Sequence, residues 1–112
     1  MDSLNTVVLS GLLDRDPVTT FQEDGQQMTR FTLRCEETGK AGAVFRLYVP
    51  VECYGKTAER AAELGAGDVV GIEGKLKWRS TTDRHGEKKG SLCMLARQVS
   101  VLVSAAAEVG TP

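Results

Sequence analysis

Apolar and polar side chains alternate along most of the chain, and that alternation predicts strands. From Met28 to Cys35, Phe31, Leu33 and Cys35 fall on one face, and Arg30, Thr32 and Arg34 on the other. Phe45 to Tyr54 repeats the pattern, with Phe45, Leu47, Val49, Val51 and Cys53 opposite Arg46, Tyr48, Pro50, Glu52 and Tyr54. Val69 to Arg79 sets Val70, Ile72, Leu76 and Trp78 on one parity and Lys75, Lys77 and Arg79 on the other. Thr6 to Leu13 is a β-rich run interrupted by Gly11, which suggests a bend such as a curving barrel needs. Val18–Phe21 is joined to Met28–Cys35 through the turn residues Glu23-Asp24-Gly25. Ser91 to Val103 forms a final long strand, and Thr38–Gly42 and Ser80–Gly90 read as loops. Lys56 to Leu64 is the one helical stretch, with a small-residue stripe of Ala58, Ala61, Ala62 and Leu64, and is stopped by Gly65 and Gly67.

These elements predict an all-β fold, a five-stranded OB-fold barrel with one short helix between strands 3 and 4. A doubly wound α/β enzyme fold is excluded, because short alternating strands replace its helices. A chain of 112 residues is one domain by size. The domain is expected over residues 1–104, with 105–112, small and polar, as a flexible end.

Composition changes little in this picture, whereas charge changes more. Cys35, Cys53 and Cys93 are widely spaced and His85 is the only histidine, so no metal site and no cofactor is expected. No apolar run is long enough for a membrane span. Met1-Asp2-Ser3-Leu4-Asn5 has no basic region of a secretory signal, so the expected location is the cytoplasm. The net charge of −1 points to no partner. Its distribution is uneven: residues 1–74 carry seven basic and twelve acidic side chains, residues 75–97 seven basic and two acidic. That second segment holds Lys75, Lys77, Arg79, Arg84, Lys88, Lys89 and Arg97, and it suggests an anionic partner or a solvated hairpin.

The outward parity of Phe45–Tyr54 is unusual, because a half-buried strand should show water a polar face. Here it shows Tyr48 and Tyr54 with Arg46. Rings on an outward OB face, with Arg30, Arg34, Lys75, Lys77 and Arg79 on outward parities of other strands, would form a stacking platform with phosphate-neutralising neighbours. An interface between copies of the chain would also account for the rings. Trp78 is open between two roles, since its parity matches the core but it adjoins the basic loop.

The chain also resembles a family. Asn5-Thr-Val-Val-Leu-Ser-Gly-Leu-Leu-Asp-Arg-Asp-Pro17 is similar to the opening of bacterial single-stranded DNA-binding proteins. The similarity continues through Arg30-Phe-Thr-Leu33, Tyr48-Val-Pro-Val51, Tyr54-Gly-Lys-Thr-Ala-Glu59, Gly67-Asp-Val-Val-Gly-Ile-Glu-Gly-Lys-Leu76 and Ala96-Arg-Gln-Val99. The resemblance implies sequence-independent binding of single-stranded DNA in replication, recombination and repair, near the nucleoid. It implies a homo-oligomer, usually a tetramer. It places Tyr48 and Tyr54 at stacking positions, Phe21 at an aromatic position near the first hairpin, and Lys56 and Arg79 along the DNA path. Thr6, Val7, Val8 and Leu9 match the segment that usually pairs across the dimer. Departures are the missing tryptophan in Thr38–Ala43, Thr81 where a stacking aromatic is usual, Ala66 in place of lysine, and no acidic tip before Pro112. They suggest weaker DNA affinity than is typical.

Two other functions compete. One is a primosomal or replication-accessory OB protein that docks on other proteins and binds single strands weakly. The other is a hydrolase or nuclease, which needs convergent carboxylates with a metal or base. Asp14 and Asp16 read as turn residues and His85 has no partner, so no catalytic set is expected.

Overall fold

The computed structural model describes residues 1–105. Six strands run β1 Val7–Leu13, β2 Val18–Phe21, β3 Gln27–Thr38, β4 Val44–Tyr54, β5 Val69–Thr82 and β6 Lys88–Val103, with helix α1 Gly55–Ala61 between β4 and β5. The sheet order is β1-β5-β6-β4-β3-β2, and an added β1–β3 pairing closes β1, β5, β6, β4 and β3 into a five-stranded barrel. Neighbouring barrel strands are antiparallel, except that β4 and β6 run parallel at Val51–Met94 and Glu52–Leu95. β2 is a four-residue strand outside the closed ring, paired only to β3. Counted around the barrel, the helix therefore lies between the third and fourth strands. The expected OB-fold is the one observed.

Closure depends on two glycines. β1 reaches β3 at only two pairs, Leu12–Arg34 and Leu13–Leu33. A Cβ at Gly11 would sit 2.5 Å from the Arg34 carbonyl oxygen, so only glycine lets the strands approach so closely. On β5 the register shifts between Glu73 and Gly74, and a Cβ at Gly74 would lie 2.0 Å from the Leu95 carbonyl oxygen. This bulge re-aims the strand as it leaves the barrel. Asn5 extends the β1 edge by exchanging two side-chain hydrogen bonds with the Leu76 backbone, each 2.9 Å.

Leu13, Leu33, Val51, Val70, Ile72 and Met94 fill the barrel and are fully buried. The helix covers one end through Ala58, Ala61 and the following Leu64, and Ala62 faces out. Thr29 Oγ1 donates to the Ala58 carbonyl at 2.9 Å, which ties the helix to β3. Burial pushes the Cys53 thiol up to about 12, so it behaves as a core residue. No helix among the described residues is long and apolar enough to cross a membrane.

Two expectations change. Ser80–Gly90 is a loop only from Asp83 to Glu87; Ser80, Thr81 and Thr82 pair with Gly90, Lys89 and Lys88 to make a long hairpin arm. Backbone pairing there needs no apolar side chains, so alternation gave no sign of it. The apolar parity of β4 also buries only from Val49 onward, because Val44 to Tyr48 lie on a second arm, paired with Arg34 to Thr38 of β3. Phe45 and Leu47 are exposed as a result. At the other end, the Ala105 amide donates to Asp68 Oδ1 at 2.9 Å, and residues 106–112 of the expected flexible end lie outside the described residues.

Gly74→Ala should cost about 1–3 kcal/mol, because the added methyl meets backbone rather than a movable side chain. Urea unfolding should show a lower midpoint with an unchanged slope.

Candidate nucleic-acid interface

The β3–β4 register decides which side chains share the outer face. Arg46 lies opposite Glu36, Tyr48 opposite Arg34, Pro50 opposite Thr32, Glu52 opposite Arg30, and Tyr54 opposite Met28. Opposed residues of an antiparallel pair project to the same side. Tyr48 and Tyr54 therefore stand on one face, six residues or about 20 Å apart along β4. Tyr48 is 53% exposed and Tyr54 is partly covered. A cleft of about 490 Å³ runs beside Tyr48, lined by Arg30, Thr32, Pro50, Arg79 and the Asp14–Asp16 turn.

The cations on this face are largely paired in advance. Arg34 Nη1 lies 2.9 Å from Asp14 Oδ1, and Arg46 Nε donates to Glu36 Oε1 at 3.1 Å. Lys77 Nζ donates to Glu52 Oε2 at 2.8 Å, and Arg79 Nε is 3.5 Å from Glu52 Oε1. Arg34 Nε is buried and makes no hydrogen bond, although it is 3.4 Å from Glu36 Oε1; it has the charge contact without the alignment. All five ion pairs among the described residues thus engage outer-face cations. Arg30 and Lys75 have no acidic partner among those residues.

Lys77 also packs 5.6 Å from the Tyr54 ring centroid, and Tyr54 donates its hydroxyl to Glu52 Oε2 at 3.3 Å. The hydrogen bond to Glu52 is the main reason the Lys77 ammonium titrates above its ordinary range.

Of the residues picked out by pattern or resemblance, Tyr48, Tyr54, Arg30, Arg34, Arg46, Lys77 and Arg79 are brought to this face, with Lys75 on the same parity of β5. Arg84, Lys88 and Lys89 are exposed at the tip of the β5–β6 arm. Lys56 is exposed in the first turn of the helix, just past Tyr54. Phe21 is 70% exposed at the end of β2, opposite Gln27, on the parity of the buried Thr29 rather than of Arg30. Trp78 is exposed too, which rules out the core role, but it pairs with Leu92 on the parity of Met94. It therefore lies on the opposite face of the arm from Lys77 and Arg79. Its indole rests on Gly90, where a Cβ would come within 2.1 Å of Cζ2.

Pattern reading missed the acids. Asp14 and Asp16 are exposed turn residues, as expected, but they are also clasps: Asp14 holds Arg34, and Asp16 Oδ1 accepts the Ala66 amide at 2.9 Å. Glu52 is the larger omission, a nearly buried carboxylate at the centre of the face. Its signal was present, since it is the only acid in the strand from Val44 to Tyr54. Among the described residues no group of three or more His, Cys, Asp or Glu side chains is arranged to hold a metal.

The family model described as "Single-strand binding protein family" matches residues 4–102. A curated single-stranded DNA-binding protein of Clostridium tetani is 33% identical over 105 residues, covering 88% of this chain and 70% of that protein. One from Thermus thermophilus is 33% identical over 87 residues, covering 78% of this chain but 33% of that protein. "Single-stranded DNA-binding protein 1" of Synechocystis sp. is 32% identical over 84 residues, or 74% of this chain and 69% of that protein.

Gly90→Ala should push the Trp78 indole off its seat. Trp78 is the only tryptophan, so its emission should shift to the red and its acrylamide quenching should rise.

Proposed function

The chain belongs to the single-strand binding protein family, and from that premise we propose that it holds single-stranded DNA along the outer face of β3, β4 and the β5–β6 arm, without sequence preference and without chemistry. The observation that carries this reading is the shared face of Tyr48 and Tyr54 with Arg30, Arg34, Lys77 and Arg79. Bases stack on the two rings, which accept any base because every base has a π face. Phosphates meet the cations and release counterions. The exposed cations of the arm tip, Arg84, Lys88 and Lys89, extend the path. Phe21 and Trp78 take part only where the strand passes round a hairpin, since neither shares the tyrosine face. Such binding suits replication, recombination and repair in the cytoplasm at the nucleoid.

We further propose assembly through β1. From Val7 to Ser10 it pairs with β5 on one edge and, among the described residues, has no strand partner on the other. An open edge invites a strand from a second copy, and Val8 beside it is 71% exposed. A homotetramer built from such dimers is the expected state.

Pre-pairing of the cations favours a second reading, an accessory OB protein that binds single strands weakly and acts by docking on replication proteins. Titration with oligo-dT at two salt concentrations, followed by tyrosine and tryptophan fluorescence, separates the two. Tight, salt-sensitive binding with quenching is expected; binding no tighter than micromolar at low salt would favour the accessory reading. Tyr48→Ala and Tyr54→Ala should each lose about 1–3 kcal/mol for the base they stack. If the double variant keeps its affinity and the oligomer dissociates, the rings belong to an interface instead. Val8→Glu should shift light-scattering mass toward the monomer; a wild-type protein already monomeric at micromolar concentration would end the β1 proposal.

A further inference from the structure

Glu52 is out of place on a surface that meets phosphates. Its side chain is only 6% exposed. Each carboxylate oxygen faces a different cation: Oε2 accepts from Lys77 Nζ at 2.8 Å, and Oε1 lies 3.5 Å from Arg79 Nε. Oε2 also accepts from the Tyr54 hydroxyl at 3.3 Å. One buried acid therefore touches a stacking ring and both β5 cations next to it.

Its burial separates it from the other acids of the face. Asp14 and Glu36 are 36% and 44% exposed, so an arriving phosphate can displace them and leave them hydrated. Glu52 sits between β3 and β6, opposite Arg30 on one side and Leu95 on the other, with its side chain almost wholly covered. Ejecting or stranding it would leave a buried charge unpaired, which is strongly disfavoured. Glu52 must stay bound to Lys77 and Arg79 while the strand is held.

We infer that Glu52 is a fixed countercharge and positioning residue: it holds Lys77, Arg79 and the Tyr54 ring in one arrangement, and it makes the two cations act on single-stranded DNA as a single positive charge. This rests on the tyrosine face being the DNA face. The cluster then neutralises about one phosphate instead of two. It gives a preset geometry and a shallower salt response than the cation count predicts.

The salt dependence of oligo-dT binding tests this directly. For single strands, log K falls with log[salt] by about 0.7 for each phosphate neutralised. Glu52→Gln should steepen the slope by about 0.7 and raise affinity at low salt about three- to ten-fold, with the gain shrinking as salt rises. Glu52→Met, which suits the covered site and leaves the partly exposed cations hydrated, should steepen it equally and serves if the glutamine variant folds poorly. Both variants should also change Tyr54 emission in the free protein, through loss of the carboxylate at its hydroxyl. An unchanged slope in a folded variant overturns the inference and assigns Glu52 to stability alone. A shallower slope with weaker binding overturns the countercharge and leaves only positioning. Absence of oligo-dT binding by the wild-type protein would instead overturn the DNA-binding reading beneath it.

Discussion

The structure depends on how closely β1 can approach β3. Only Leu12 and Leu13 make that contact. Gly11 permits it, because any side chain at that position would collide with the Arg34 carbonyl. Closure then follows from a bend rather than from a long run of pairing. The same bend leaves the first four residues of β1 with one edge unpaired among the described residues, and it brings Arg34 beside Asp14. Barrel closure, the open edge and one of the ion pairs of the outer face are thus three consequences of one missing Cβ.

Strands longer than the barrel expose apolar side chains that the core does not reach. β5 and β6 pair without interruption from Gly74 and Ala96 to Thr82 and Lys88, well past the last core layer. β3 and β4 do likewise beyond Val49. Inside the barrel one parity faces the core. On the arms the same parity has nothing to cover it. Phe45, Leu47, Leu76, Trp78 and Leu92 are all exposed for this single reason. Two of the rings shield glycine backbone, Phe45 over Gly39 and Trp78 over Gly90, which gives each one covered face.

The order of strands, the single helix, the bend at Gly11 and the outward tyrosines were legible in the sequence, because each has a local cause: period, turn chemistry or glycine. The limits of the core were not, since alternation looks the same inside a barrel and on an arm. Trp78 illustrates this, as its parity was read correctly while its burial depended on where the core ends. The ion pairs were illegible for a different reason. Asp14 and Arg34 are twenty residues apart, and Glu52 and Lys77 twenty-five. Only register and barrel closure bring them together, and neither is written in any local stretch of sequence.

On the proposed reading, electrostatics and stacking have unequal weight on this face. Counting basic residues suggests a strongly attractive surface. Arg34 and Arg46 are held by the exposed Asp14 and Glu36, so on the proposed reading a phosphate that meets them exchanges one ion pair for another, while Lys77 and Arg79 keep Glu52 and only Arg30 and Lys75 on this face have no acidic partner among the described residues. Exposed exchanges of that kind contribute little net free energy. Stacking at Tyr48 has no such competitor, because its ring is open to solvent in the free protein, whereas the Tyr54 ring already carries Lys77. If the strand binds as proposed, discrimination between single and double strands follows. A duplex offers the same phosphates but keeps its bases stacked on one another. A surface whose cations are largely neutralised gains little from a duplex and most from a strand whose bases are free to leave water for a ring.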